Sequence, residues 1–388
     1  MQSFSIKDLI GEIDNPKIAF RGALDFDHRN NGISPRRLPS WTRHQVPQMM
    51  DVMVRMPSGV RLILETDATQ VTLSGLATNM VTPPAMKRDV VMNLEVNGQL
   101  FISRNDEGNT IELDPVNSGA FELKRGSAAQ WNFSGLPSGN KRCDIWLPHN
   151  AFIELHELSI DAGATLDSPC ASKNPKWLHY GSSISHCMEA DQPALIWPAV
   201  AARIADVDLQ SLGFGGQCHL DQFVARTIRD SDADLISIKT GINIINMDSM
   251  RERIFQPALH GFLDTIREGK PDTPITLISP IYCPSAETAP GPTIANANGK
   301  FITLAGHDEI RDGCMSLSRV RTLMTQLIDA RNDPNLSYVN GLELFGQHDA
   351  MDLPDDLHPN PAGYVRMGER FAAMHLAQQA QTISLSRH

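Results

Sequence analysis

The sequence predicts a mixed α/β protein, with an all-β sandwich first and a parallel-sheet α/β domain second. Three observations carry this. Five short apolar runs in the C-terminal half alternate with helical stretches. The N-terminal half is a succession of short strands closed by turn residues. A small, polar stretch separates the two. At 388 residues the chain exceeds one ordinary domain and suits two, with the boundary expected between 165 and 166: a β-sandwich over 1–165 and an α/β domain over 166–388.

In the first half, "GVRLILETDATQVTLSGL" alternates apolar and polar residues between turn signals, as half-buried strands do. "DVVMNLEVNGQLFIS" gives two short runs joined by Asn97-Gly98, a strong hairpin signal. "NTIELDP", "GAFELKRG", "QWNFSGL", "KRCDIWLP" and "FIELHELSI" follow at near-regular spacing. Many short, punctuated strands fit a jelly-roll-like sandwich. The stretch 161–175, "DAGATLDSPCASKNP", has the composition of a linker.

From residue 176 the pattern changes. "KWLHY", "VDLQSLGF", "ADLISIKTG", "PITLISPIY" and "LSYVNGLEL" read as strands of a sheet buried on both faces. Between and after them lie helical stretches, among them "PALIWPAVAARIAD", "ERIFQPALHGFLDTIREGK", "GCMSLSRVRTLMTQLIDARND" and "AGYVRMGERFAAMHLAQQAQ". In such sheets ligands bind beyond the carboxyl ends of the strands, where this sequence keeps its glycines and polar residues.

The bulk numbers exclude several classes. A formal charge of -11 with no basic run argues against nucleic-acid or anionic-membrane partners. No apolar stretch approaches transmembrane length. The N-terminus lacks the basic and apolar regions of a secretory signal. The six cysteines (Cys143, Cys170, Cys187, Cys218, Cys283, Cys314) form no C-x-x-C pair, as expected for reduced thiols in a cytoplasmic protein.

Four pieces could carry chemistry. "YGSSISH" at 180–186 ends the first strand of the second half. Gly181 would free the chain for a sharp turn, and a serine after it would stand at a helix N-terminus, where N–H groups favour negative charge. The same serines would also serve as plain helix caps. In "LPDDLHPNPAGY" Asp355 precedes His358 by three residues, close enough in a tight loop to reach Nδ1–H and leave Nε2 as a base. Asn360 is the expected N-cap of the next helix and Pro361 its first residue. An acidic surface loop is the competing reading. "SLGFGGQCHLDQ" offers Gly216, and "KTGINIIN" offers Gly241 and Asn243; each also reads as a plain βα turn.

Taken in order, these pieces resemble the blocks of the SGNH, or GDSL-like, hydrolases over about residues 176–380. Gly181-Ser182-Ser183-Ile184 is similar to the nucleophile block, with Ser182 where the family has Asp. Gly216, Gly241-Ile242-Asn243 and Asp355-x-x-His358 are similar to the later blocks. The resemblance implies a flavodoxin-like three-layer α/β/α domain with a five-stranded parallel sheet, and Ser183 as the nucleophile. It implies His358 as base and Asp355 as the residue orienting it. The Ser183 and Gly216 N–H groups and the Asn243 amide would form the oxyanion hole. No cofactor and no metal are expected, although His348, Asp349, Asp352, Asp355, Asp356 and His358 cluster in sequence. His186 and His219 are candidate pocket residues. Cys187 and Cys218 are expected to pack rather than react.

The segment 284–308 has the length of a lid or binding loop. An N-terminal sandwich before such a domain resembles two-domain carbohydrate esterases. The expected substrate is therefore a small-molecule ester, foremost an acetyl ester of a carbohydrate-like alcohol, with thioesters, lactones and short lipid esters as alternatives. A catalytically degenerate binding protein is the alternative of another class. Trp41 and Trp131 are candidate sugar platforms, though burial in the core is the plainer role for each. Homo-oligomerisation through the first domain is left open.

Overall fold

The computed structural model describes residues 1–11, 16–83, 85–114, 120–304 and 306–386. By its internal contacts the chain divides into two compact units. The first comprises Met1–Ser40, Val54–Lys173 and Asp191–Ala194; the second comprises Trp41–Met53, Asn174–Ala190 and Leu195–His388.

In the first unit, an eight-stranded and a six-stranded sheet share one core. Gln70–Val81 alternates as the sequence reads: Val71, Leu73 and Ala77 turn inward, and the residues between them stay half-buried. On the neighbouring strand Ala129–Ser134, Ala129, Trp131 and Phe133 are buried and Gln130, Asn132 and Ser134 are exposed. Val60, Leu62, Met92 and Leu94 of the other sheet join the same cluster. The hairpin forms at Asn97-Gly98: Val90–Val96 pairs antiparallel with Gln99–Asn105, and both turn residues take positive φ, 49° and 80°, as the type I′ turn requires. "NTIELDP" and "GAFELKRG" form Asn109–Leu113 and Phe121–Lys124, paired antiparallel; Pro115 and Gly119 lie outside the described residues.

The stretch 161–175 is not a plain linker. Leu166–Asp167 adds a short strand to Arg61–Thr66, the Thr165 N–H and hydroxyl bond Asp67, and the Cys170 N–H bonds Glu65. Small polar residues read as linker because their side chains pack little, yet their backbone is tied down. The unit boundary falls accordingly at Lys173/Asn174 instead of 165/166.

In the second unit, strands β1 (Lys176–Gly181), β2 (Asp208–Gly213), β3 (Leu235–Lys239), β4 (Ile275–Ile278) and β5 (Leu336–Val339) make one parallel sheet in the order β2-β1-β3-β4-β5. That is the flavodoxin-like order, whose switch point lies between β1 and β3. Helices cover both faces. On one, Trp177 of β1 stacks on Phe371 of helix Pro361–Phe371 and packs against Trp197 of helix Trp197–Ala205. On the other, Tyr180 stacks on Phe262 of helix Glu252–Arg267. Among the described residues, no helix is long and apolar enough to cross a membrane.

Trp131 is fully buried, and its indole N–H donates to the Val90 carbonyl at 2.9 Å, so it is a core residue and no sugar platform. Trp131→Ala is expected to destabilise the sandwich by about 3–5 kcal/mol, read as a lower urea midpoint.

Candidate active site

The end of β1 is built around crowding. Ser182 is extended (φ -87°, ψ -159°) and is followed by one helical turn, Ser183–His186, which closes when the Cys187 N–H bonds the Ser183 carbonyl. Gly181 is required here for space rather than for conformational freedom. Its backbone stays outside the left-handed region, but a Cβ would meet Ser185 Oγ at 2.2 Å. Gly213, at the end of β2, is equally constrained, since a Cβ there would lie 2.5 Å from the Ser185 carbonyl carbon. The two glycines let the Ser183 turn sit directly on the strand ends.

Ser182 stands at the N-cap, but its side chain makes no capping bond and its buried hydroxyl finds no partner. The helix-cap reading therefore fails for Ser182. Ser183, the next residue, points its hydroxyl at His358: Ser183 Oγ to His358 Nε2 is 2.9 Å. On the far side of the ring, Nδ1 lies 2.6 Å from Asp355 Oδ2. The other oxygen of Asp355 accepts the Leu357 and His358 N–H groups at 2.9 and 2.6 Å. The carboxylate thus shapes its own loop and orients the imidazole together. Asp356 between them takes φ 64°, and Lys300 pairs with it. Downstream, Asn360 caps helix Pro361–Phe371 through the Gly363 N–H.

The electrostatics follow from these neighbours. Burial pushes the Asp355 carboxyl up, but its hydrogen bonds and the His358 charge outweigh burial and hold it below its ordinary value. Burial pushes His358 down, but the Glu189 charge and the Asp355 hydrogen bond and charge outweigh it, and its pKa is raised. Glu189 has no motif to announce it; its Oε1 lies 3.9 Å from His358 Nδ1.

The oxyanion-hole candidates gather at the switch point. Gly216 needs its glycine for φ 68°, and the space beside it is open. Gly215 packs under Met53, and a Cβ on it would lie 3.9 Å from the Ser183 Cβ. Gly241 has φ 119°, and a Cβ would strike Pro280 and Val320. Asn243 is buried, and its Oδ1 accepts the Cys218 N–H at 3.0 Å. A backbone N–H can only donate, so this bond assigns the amide orientation and leaves Nδ2 to donate. Among the described residues, no protein acceptor takes the Ser183 N–H, the Gly216 N–H or Asn243 Nδ2.

The remaining candidates are placed as follows. His219 is held between Ser249 Oγ at 2.9 Å and the Gly216 carbonyl at 3.1 Å, bracing the Gly216 turn. His186 is wholly buried and presents no face to solvent. Burial pushes Cys218 up to about 11 and Cys187 well above its ordinary value, so both thiols are inert at neutral pH. His179 was not singled out by any sequence signal. It bridges Ser237 Oγ and Ser185 Oγ, each at 2.7 Å, under the nucleophile turn. Burial, then the Lys239 charge, keeps it well below the usual histidine range and so neutral.

In the acidic segment, Asp349 pairs with Arg366 and Arg370, Asp352 with Arg366, and Asp356 with Lys300. Among the described residues, no group of three or more acidic, His or Cys side chains is arranged to hold a metal ion. Within 284–308, leaving aside Ala305, which lies outside the described residues, Thr293–Ala295 and Phe301–Thr303 form a hairpin. It rests on the His358 loop: the Phe301 N–H bonds the Asp355 carbonyl at 2.9 Å, and its ring meets the imidazole edge-on at 5.7 Å. Trp41 is 41% exposed, against the expectation of a core role, with Arg226 over its ring.

A serine, a doubly held imidazole, a carboxylate and free donors at a switch point can together perform acyl transfer. Residues 176–289 match the GDSL-like lipase/acylhydrolase family. Over these residues the second unit is similar to the GDSL-like hydrolases. Residues 18–156 match the N-terminal domain family of SsfX3. A solved salicylyl-acyltransferase, SsfX3, from a tetracycline biosynthetic pathway is 29% identical, with TM-score 0.77 over 96% of this chain and 97% of that one. A GDSL-like lipase from Bacteroides ovatus has the same fold, at 15% identity and TM-score 0.69 over 98% of each chain. So has a family two carbohydrate esterase from Clostridium thermocellum, at 15% identity and TM-score 0.57 over 92% of this chain and 97% of that one. None of the curated proteins matches by sequence. The family is one of esterases and acyltransferase-like hydrolases.

Gly181→Ala is expected to slow fluorophosphonate labelling of Ser183 about 100-fold, the scale of an ångström-sized misplacement. Gly216→Ala, strained at φ 68° in spite of the open space beside it, is also expected to slow the same labelling.

Proposed function

We propose that the protein cleaves carboxylic esters through an acyl-enzyme on Ser183. The observation that carries this is the hydrogen-bonded line from Ser183 Oγ to His358 Nε2 at 2.9 Å and from His358 Nδ1 to Asp355 at 2.6 Å. His358 takes the hydroxyl proton as Oγ attacks the carbonyl, and Asp355 supports the imidazolium. The Ser183 and Gly216 N–H groups and Asn243 Nδ2 meet the oxyanion. His358 returns the proton to the leaving alcohol, then activates the second nucleophile that releases the acyl group.

We assign short acyl groups, foremost acetyl, on a carbohydrate-like alcohol as the substrate class. The two-unit architecture shared in fold with carbohydrate esterases supports this reading. A second reading is transfer of the acyl group to an alcohol acceptor in place of water. It is favoured by the 29% identity to a salicylyl-acyltransferase over nearly the whole chain.

Nitrophenyl esters of increasing chain length, followed by acetylated sugars, test the substrate class. Fastest turnover of a long-chain ester, with acetylated sugars left intact, would sink it. Partition of the acyl group between water and added alcohols separates the two readings. Ser183→Ala is expected to lower kcat by about 10⁴-fold or more, and retained turnover would remove Ser183 from the mechanism. Asn243→Ala is expected to lower kcat by roughly 10²–10³-fold. Only neutral His358 accepts a proton, and its pKa is raised. The acid limb of kcat/KM should therefore be displaced upward from the ordinary histidine value and rise with pH.

A further inference from the structure

We propose that Glu189, braced by Tyr364, is a second carboxylate serving His358, a positioning residue that holds the imidazole and stabilises its protonated form alongside Asp355. The inference deepens the acyl-enzyme reading and rests on it.

Glu189 lies beyond the nucleophile turn, six residues after Ser183 in sequence. Its two oxygens have separate tasks. Oε1 faces His358 Nδ1 at 3.9 Å, and Oε2 accepts the Tyr364 hydroxyl at 2.7 Å. Tyr364 is fully buried in helix Pro361–Phe371, the helix that Asn360 caps just after His358. The strut therefore fixes a carboxylate, which is otherwise partly exposed, relative to the loop that carries the imidazole. At 3.9 Å from Nδ1, Glu189 is too far for a hydrogen bond of its own to that nitrogen. It acts by charge on an imidazole that is itself mostly buried.

Of the other groups around the ring, Asp355 acts in the same direction. Asp355 holds Nδ1 from the imidazole's own loop, and the hydroxyl of Ser183 meets Nε2 from the turn after β1. From the hairpin come the neutral Phe301 ring and Lys300, whose charge is taken up by Asp356. Cys283 bonds the Asp356 carbonyl, and burial pushes its thiol up, so it is neutral. The Glu189 charge favours protonation of His358, as do the hydrogen bond and the charge of Asp355. An imidazolium forms each time Ser183 attacks, so a fixed carboxylate beside it lowers the barrier without touching substrate.

Two readouts test this on the full chain: the ¹⁵N titration of the His358 imidazole, and the pH dependence of fluorophosphonate labelling. In Glu189→Gln the imidazole is expected to titrate at lower pH than in wild type. The acid limb of labelling should move the same way, and the plateau rate should fall about tenfold, as expected for loss of a charge near 4 Å in a polar site. Glu189→Asp should restore part of both. Tyr364→Phe, which keeps the buried ring and removes only the hydroxyl, should shift both in the same direction by less. A Glu189→Gln protein that titrates and labels like wild type would overturn the proposal. Ser183→Ala separates this from failure of the acyl-enzyme reading. If wild type labels and Ser183→Ala does not, that reading stands whatever Glu189 does. If wild type does not label at Ser183, that reading fails, and the imidazole titration alone decides the role of Glu189.

Discussion

The His358 imidazole is held by both of its nitrogens, and much of the second unit exists to bring that about. Its two main partners come from distant parts of the chain: Asp355 from the same loop, and Ser183 from 175 residues earlier. β5 is the edge strand on the far side of the sheet from β1, separated from it by β3 and β4. The chain leaving β5 must therefore travel back across the strand ends before His358 can reach the switch point. The return is anchored at Asp349, gripped by Arg366 and Arg370 of helix Pro361–Phe371. It is completed by packing of that helix on β1, where Phe371 stacks on Trp177 at 5.5 Å. Aromatic packing inside the core thus determines a hydrogen-bond distance at the surface.

The nucleophile turn answers to the same constraint from beneath. Trp177 donates its indole N–H to Ser237 Oγ, Ser237 Oγ meets His179, and His179 meets Ser185 in the turn itself. Since an indole can only donate, Ser237 accepts from Trp177 and is free to donate to His179 Nδ1. The neutral ring then offers Nε2–H to Ser185. A fully satisfied polar chain of this kind rigidifies where an unsatisfied one would loosen. Trp177 therefore serves both halves of the site, stacking on the helix behind His358 and heading the chain below Ser183.

What was legible in the sequence, and what was not, divides along the reach of the interactions. The Asn97-Gly98 hairpin, the five apolar strands and the Asn360-Pro361 helix start are local, and local pattern was enough to read them. The Asp355-x-x-His358 spacing was legible too, because a three-residue loop leaves the carboxylate little choice of partner. Gly181 was recognised for the wrong reason. Flexibility is a local property, whereas its true role, leaving room for Ser185, depends on what packs over it. Glu189 and His179 left no trace in pattern, since their partners Tyr364 and Ser237 are far along the chain. The segment 161–175 was misjudged, because composition says how polar a segment is, not what holds its backbone. Even so, the rule that ligands bind beyond the carboxyl ends of parallel strands put the Gly216 turn and Asn243 at the same end of the sheet.

In the mechanism proposed above, hydrolysis and acyl transfer share the first half-reaction: the same serine, base and oxyanion donors. They part only when a second nucleophile meets the acyl-enzyme, and it must approach His358 Nε2, the nitrogen freed when Ser183 Oγ becomes acylated. Substrate choice therefore cannot reside in the triad geometry, which is indifferent to the alcohol. It must reside in what surrounds Nε2. The Phe301 hairpin already covers one edge of the imidazole, and Met53 and the Gly215-Gly216 turn stand beside Ser183. These residues belong to segments with no catalytic motif. Divergence in acceptor within this fold can accumulate there without disturbing the hydrogen bonds that make the serine reactive.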